Sequence, residues 1–220
     1  MRIRSKKWAR PELEARQYFI PNPTEYKNNW RSIFSNDNPI YLDLGCGKGL
    51  FLAEMALKHP DVNFIGVDIS IDILGVANRN IEKTFDGKEP KNLALTSMNL
   101  EYFQDAFGEK DDISRIYIYF CNPWPKNRHK KRRLTYPRQL NKYLSFLNSD
   151  GQIYFKTDDD GLFKDSLEYF NESGFSTEFL TYDLQIDQIE EEKGILSEHE
   201  LMFRRENIPI KMLIASKKDI

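Results

Sequence analysis

Runs of apolar residues alternate with amphipathic stretches along most of this chain. Ile40–Gly45, reading IYLDLG, is almost continuously apolar and closes on glycine, the pattern of a strand covered on both faces. Leu50–Pro60 has helical spacing and stops at a proline. Val62–Asp68 predicts a second strand, and Ile69–Phe85 a helix with Leu74, Ala77 and Ile81 on one face. Asn92–Ser97 and Arg115–Phe120 predict further strands, Tyr136–Leu147 a helix, Gly151–Asp158 a fifth strand and Gly161–Ser173 another helix. Phe175–Leu184 and Ile208–Ser216 predict a closing pair of strands. The expected architecture is α/β and Rossmann-like, a mostly parallel seven-stranded sheet with helices on both faces and right-handed crossovers. Residues 1–39 are polar and proline-dotted and predict a basic arm with a short helix around Pro23–Phe34. A single domain is expected over residues 40–220.

A chain of 220 residues with 40% hydrophobic content can bury one well-packed core. No stretch is long and apolar enough to span a membrane, and the basic N-terminus is not followed by an apolar signal core. Cys46 and Cys121 make no disulfide framework and predict thiols in a reducing cytoplasm.

The formal net charge of −2 conceals strong patterning. Arg2, Arg4, Lys6, Lys7 and Arg10 crowd the start. Lys126, Arg128, Lys130, Lys131, Arg132, Arg133 and Arg138 follow Trp124, and the region from Asp158 to Glu200 is mostly acidic. Charge separated in this way predicts a local surface for a polyanion.

Each candidate motif falls at a predicted strand end, where ligands of parallel sheets bind. LDLGCGKG places Asp43, Gly45, Gly47 and Gly49 between the first strand and a helix. Glycines there permit positive φ and close backbone approach, and the helix start offers free N–H groups. Asp68 ends the second strand near the ~20-residue spacing at which a carboxylate accepts from ribose hydroxyls; a helix N-cap is its alternative role. One residue separates the last two glycines, against two in the dinucleotide fingerprint, which disfavours a nicotinamide-dependent oxidoreductase. Asp43 inside an apolar strand needs a partner. Its charge suits an adenosine cofactor bearing a sulfonium better than a pyrophosphate. The pattern resembles the first motif of S-adenosylmethionine-dependent methyltransferases.

The fourth strand runs into Cys121, Asn122, Pro123, Trp124, Pro125 and Lys126. Flanking prolines stiffen this loop. Trp124 either stacks on a base or caps the core. The cations from Arg128 to Arg133 would bind phosphates in a salt-dependent way. PWPK followed by HKKRRL resembles the signature of bacterial tRNA (guanine-N7-)-methyltransferases, as do MRIRSKKWA at the start, TDD after the fifth strand, and SEHE ahead of an F-x-R. The resemblance covers essentially the whole chain and implies a class I methyltransferase acting on a guanine in the tRNA variable loop. It implies cofactor contacts for Asp43, Asp68, Asn99 and Asn122 along with the glycine loop. Substrate contacts are implied for Lys126, Asp158, Ser197, Glu198 and Glu200, and RNA contacts for Arg128, His129, Lys130, Lys131, Arg132 and Arg133. Asn122 and Asp158 are the catalytic candidates. Two positions depart from the family: Asn122 stands where Asp, regarded as catalytic, is usual, and Ser197–Glu200 stands where Thr-x-Tyr-Glu is usual.

Guanine N7 carries an in-plane lone pair, so its methylation needs no prior deprotonation. It needs positioning and stabilisation of the charge that moves onto the purine. Asp158 is the first candidate for that role, with Glu198 or Glu200 second; Asp158 could equally serve as an acid at a helix start. Two rival readings stay open. NPWP also resembles the motif of exocyclic-amine methyltransferases, and Asn122 could mark an RNA-binding protein that has lost catalysis. His59, His129, His199 and the cysteines have no metal-ligand spacing, so no metal is expected. The expected partner is tRNA, with no membrane, and the protein is expected to be a monomer or homodimer.

Overall fold

A computed structural model describes residues 5–187, 189–192 and 194–218; Arg2 and Arg4 of the expected arm lie outside them. The chain divides into two compact units, Met1–Asp111 and Asp112–Ile220.

In the first unit, β1 (Phe19–Ile20), β2 (Ile40–Leu44), β3 (Asn63–Asp68) and β4 (Leu93–Ser97) lie in the order β1-β4-β3-β2, all parallel. Their side chains are almost all buried, which is why β2, β3 and β4 read as continuous apolar runs. Helices α3 (Leu50–Lys58) and α4 (Ile71–Thr84) follow β2 and β3, and α4 buries Leu74, Ala77 and Ile81 on one face. Strand β1 is the addition to the expected seven. It is two residues long and joins the sheet through Phe19 opposite Leu95 and Ile20 opposite Thr96.

The arm belongs to this unit rather than standing apart from it. Helix α1 (Ala9–Glu14) packs on α4, where Ala9 approaches so closely that a Cβ on Gly75 would lie 2.4 Å from that of Ala9. Arg79 of α4 makes two hydrogen bonds to Glu12, at 2.7 and 2.9 Å, and stacks its guanidinium on Trp8. The helix expected over Pro23–Phe34 is broken into a 3-10 turn (Pro23–Tyr26) and α2 (Arg31–Phe34). The break is held by a partner distant in sequence: Asp111 accepts the amides of Asn28 and Trp30, and Asn28 adopts a positive φ of 64°.

In the second unit, β5 (Ile113–Tyr119), β6 (Leu147–Thr157), β7 (Phe175–Thr181) and β8 (Lys211–Lys217) lie in the order β5-β6-β8-β7. Strands β5 and β6 are parallel, and β8 runs antiparallel to both of its neighbours, β6 and β7. Helix α5 (Pro137–Tyr143) is shorter than expected, because β6 already begins at Leu147. Helix α6 (Asp160–Glu172) buries Leu162, Phe163 and Phe170. Helix α7 (Glu198–Arg205) is an element that the apolar pattern did not predict.

Candidate functional site

In the first unit, the glycine loop turns back on the end of β3. Gly45, Gly47 and Gly49 take φ values of 91°, 55° and 67°, the left-handed region that glycine occupies without a Cβ penalty. The amides of Gly45 and Cys46 both donate to the Val67 carbonyl. At Gly49 a Cβ would lie 2.9 Å from that of Ala77, so the start of α3 can meet α4 only with glycine there. No side chain caps α3, which leaves its first amides directed out of the helix end.

Asp68 organises the same corner. Its Oδ2 accepts the Gly47 amide at 3.2 Å and its Oδ1 the Ser70 amide at 2.8 Å. The N-cap of α4 is Ser70, whose hydroxyl accepts from Ile73, so the capping role open to Asp68 belongs to its neighbour. Burial lifts the Asp68 carboxyl above the usual carboxylate range, and amides led by those of Ser70 and Gly47 act against that rise. Beside it Ile69 is 66% exposed, an apolar side chain at a strand end that the sequence reading did not single out. Asp43 is buried within β2. Asn99 is exposed at the start of a 3-10 turn after β4 and accepts the Glu101 amide.

In the second unit, β5 ends in a strained loop. Phe120 and Trp124 have positive φ of 51° and 41°, conformations costly for non-glycine residues that collect at functional sites. The Asn122 side-chain carbonyl accepts the Trp124 amide at 3.1 Å, which leaves its NH2 as the outward group. Trp124 is half-buried, with Arg132 over its ring at 5.1 Å and His129 T-shaped against it, ring centroids 5.7 Å apart. It forms a cation-bearing platform rather than a core cap.

The basic run forms a 3-10 turn over Asn127–Arg132. Lys126, Arg128, Lys131 and Arg132 are exposed, and His129 is half-exposed. Lys130 pairs with Asp165 at 2.6 Å. Arg133 departs from the surface role expected of it. It is 2% exposed, and its guanidinium donates to the Pro123 carbonyl at 2.7 Å and to Asp165 at 2.5 Å.

The three aspartates after β6 have three different tasks. Asp159 is the N-cap of α6, its Oδ1 accepting the Leu162 amide at 2.6 Å. Asp160 pairs with Lys211 at 2.5 Å. Asp158 is half-buried and its carboxylate has no hydrogen-bonding partner among the described residues; only its backbone carbonyl is engaged, by Lys211. The helix-start role is therefore filled by Asp159.

Ser197 and Glu200, expected among the substrate contacts, have a structural task at the helix start. They form a reciprocal capping box at the start of α7. Glu200 is 1% exposed and spends its second oxygen on Lys156 at 3.2 Å. Glu198 and His199 are exposed, and the imidazole stacks on Phe120 with centroids 5.5 Å apart. Burial pushes the Cys121 thiol up to about 12 and the Cys46 thiol well above its ordinary value, which favours the protonated thiol at both positions. Among the described residues no group of three or more His, Cys, Asp or Glu is placed to hold a metal ion. No helix among them is long and apolar enough to cross a membrane.

A family model described as a putative methyltransferase matches residues 37–213. A tRNA (guanine-N(7)-)-methyltransferase of Clostridium beijerinckii is 53% identical over 219 residues, covering 99% of each chain. The chain belongs to the tRNA (guanine-N(7)-)-methyltransferase family. A relative of the same description from Acetivibrio thermocellus is 50% identical, with 99% of this chain and 100% of the relative covered.

Solved structures show that the fold is that of class I methyltransferases. The 16S rRNA methyltransferase KamB superposes with a TM-score of 0.63 at 12% identity, covering 87% of this chain and 93% of that one. A variant of the 16S rRNA (adenine(1408)-N(1))-methyltransferase of Catenulisporales acidiphilia, solved with its cosubstrate SAM, gives a TM-score of 0.57 at 14% identity, covering 91% of this chain and 93% of that one. The sequence reading passed over Tyr119, Lys156 and Glu192, a buried polar cluster that meets α7 through Glu200. Its signal was present: a lysine inside the apolar run QIYFKTD needs a buried partner, by the argument that singled out Asp43.

Proposed function

We propose that this enzyme transfers the methyl group of S-adenosyl-L-methionine to N7 of a guanine in the variable loop of tRNA. The observation that carries the reading is full-length identity of about half the residues with relatives named for that activity. It follows that the enzyme works in the cytoplasm, where its tRNA is.

The first unit suits the cofactor. A Cβ on Gly45 would meet nothing within 4 Å, so open space adjoins the loop, and the Asp68 carboxylate, oriented by its backbone amides, is the acceptor for ribose hydroxyls. Asp43, Asn99 and the uncapped start of α3 are its further contacts. When bound, S-adenosylmethionine supplies an electrophilic methyl on a sulfonium that departs as a neutral thioether.

The second unit suits the RNA. Lys126, Arg128, Lys131 and Arg132 hold phosphates, and the half-buried Trp124 offers an aromatic ring for a base to pack on. Guanine N7 attacks with its own lone pair, so no side chain removes a proton first. The unpartnered Asp158 carboxylate balances the charge arriving on the purine and accepts from its N–H edge. Asn122, its carbonyl spent on Trp124, shapes the loop and offers an NH2 donor where the family's usual Asp offers a charge. Incubation with methyl-labelled cofactor and unmodified tRNA, followed by digestion to nucleosides, tests this: label belongs in 7-methylguanosine. Label in an exocyclic-amine product, or tight tRNA binding without label, overturns the reading.

A further inference from the structure

Lys156 lies in β6, two residues before Asp158, with its side chain 1% exposed. Its ammonium pairs with Glu192 at 2.5 Å and with Glu200 at 3.2 Å, and lies 4.4 Å from the centre of the Tyr119 ring. The Tyr119 hydroxyl donates to the other oxygen of Glu192. Burial and the adjacent Glu192 hold that phenol well above its ordinary range, so it stays a donor. The Lys156 carbonyl accepts the Phe120 amide at 2.9 Å, and the Phe120 ring carries His199. Lys156 therefore joins three segments: the β5 end leading to Asn122, the β6 end bearing Asp158, and the start of α7 bearing Glu198 and His199. A small cavity of about 70 Å³ adjoins the cluster, lined in part by Lys156, Glu192, Glu200 and Arg204.

We propose that Lys156 is a positioning residue for methyl transfer, and that Glu200 is the latch through which it acts rather than a contact to the base. This rests on the function proposed above. A buried cation shared by two carboxylates is a poor source of net stability compared with apolar packing, but it fixes geometry, because each partner must be met at hydrogen-bond distance. Both Glu200 oxygens are engaged, one by Lys156 and one by the Ser197 amide. The ion pair thus sets where α7 begins, and with it where Glu198 and His199 stand beside the strand that carries Asp158.

The test compares Lys156→Met, Lys156→Arg and the charge-compensated Lys156→Met/Glu200→Gln with the wild-type enzyme. Readouts are thermal unfolding, cofactor affinity without RNA, and kcat and KM with tRNA. Displacing a positioning contact by about an ångström costs on the order of 10²-fold in rate. Lys156→Met is expected to lose roughly that in kcat while cofactor affinity stays within about 2-fold, and Lys156→Arg to recover part of the rate. The compensated variant is expected to regain thermal stability but not kcat. If it regains both, Lys156 serves stability alone and the proposal fails. Should Lys156→Met not fold, Glu200→Gln, which keeps an acceptor for Ser197, carries the same comparison; wild-type kcat there is equally fatal. A wild-type protein that forms no 7-methylguanosine contradicts the proposed function instead, and is recognised before any variant is compared.

Discussion

Arg133 Nε donates to the Pro123 carbonyl at 2.7 Å across ten residues of chain, and the same guanidinium meets Asp165 on α6. The last cation of the basic run is thereby a strut under the Pro-Trp-Pro loop, while Lys131 beside it faces solvent. Two neighbours of identical charge should behave differently. Arg133→Ala removes a buried guanidinium with its bonds to Pro123 and Asp165 and should cost roughly 2 kcal/mol, lowering Tm by about 4–8 °C. Lys131→Ala should leave Tm unchanged and reduce the slope of log affinity for tRNA against log salt by about 1. Thermal melts and binding titrations at several salt concentrations check both.

The partner of that strut gives a pH prediction. Burial acts to raise the Asp165 carboxyl, and hydrogen bonds from Lys130 and Arg133 overcome it and hold the carboxyl below the usual range. A depressed value means that the stabilisation is present above the unfolded value, near 3.9, and is lost as pH falls through the folded one. Asp165→Asn should therefore cost about 1–2 kcal/mol at pH 7 and progressively less below pH ~4. Melting of both proteins across that range reads the difference, and a gap that persists undiminished in acid contradicts the assignment.

Gly49→Ala tests the cofactor corner. The new methyl group meets Ala77 at 2.9 Å from a backbone at φ 67°, which should cost about 2–4 kcal/mol through strain and overpacking. Because the uncapped start of α3 moves with it, affinity for S-adenosylmethionine should fall at least ~10-fold, measured by calorimetry on the folded fraction.

The strand ends were legible in sequence because buried parallel strands are continuous apolar runs, and the chemistry-bearing residues stop those runs. Asp43, Gly45, Asp68 and Asp158 were found in that way. What escaped depended on partners distant in sequence or on competing local signals. Strand β1 is two residues long, too short for any period to register. Arg133 carries the same signal as Lys131, and only Asp165, on another helix, distinguishes them. Ser197 and Glu200 matched a substrate motif, yet S-x-x-E is equally the signature of a helix start, and that role is the one their hydrogen bonds fill. Lys156 was visible as a charge inside an apolar strand, but Glu192 and Glu200 could not be named as its partners without the fold.

The central claim is that methyl transfer to N7 runs on positioning and on the Asp158 carboxylate, with no base at position 122. The most direct measurement is the single-turnover rate of 7-methylguanosine formation in tRNA for the wild type, Asn122→Asp, Asp158→Asn and the capping control Asp159→Ala. The account predicts a change of no more than about 3-fold for Asn122→Asp and a loss of roughly 10²-fold for Asp158→Asn at unchanged Tm. Asp159→Ala should lose about 1 kcal/mol of stability with a near-normal rate in the folded enzyme. A rate indifferent to Asp158→Asn, or one raised a hundredfold by Asn122→Asp, would contradict it.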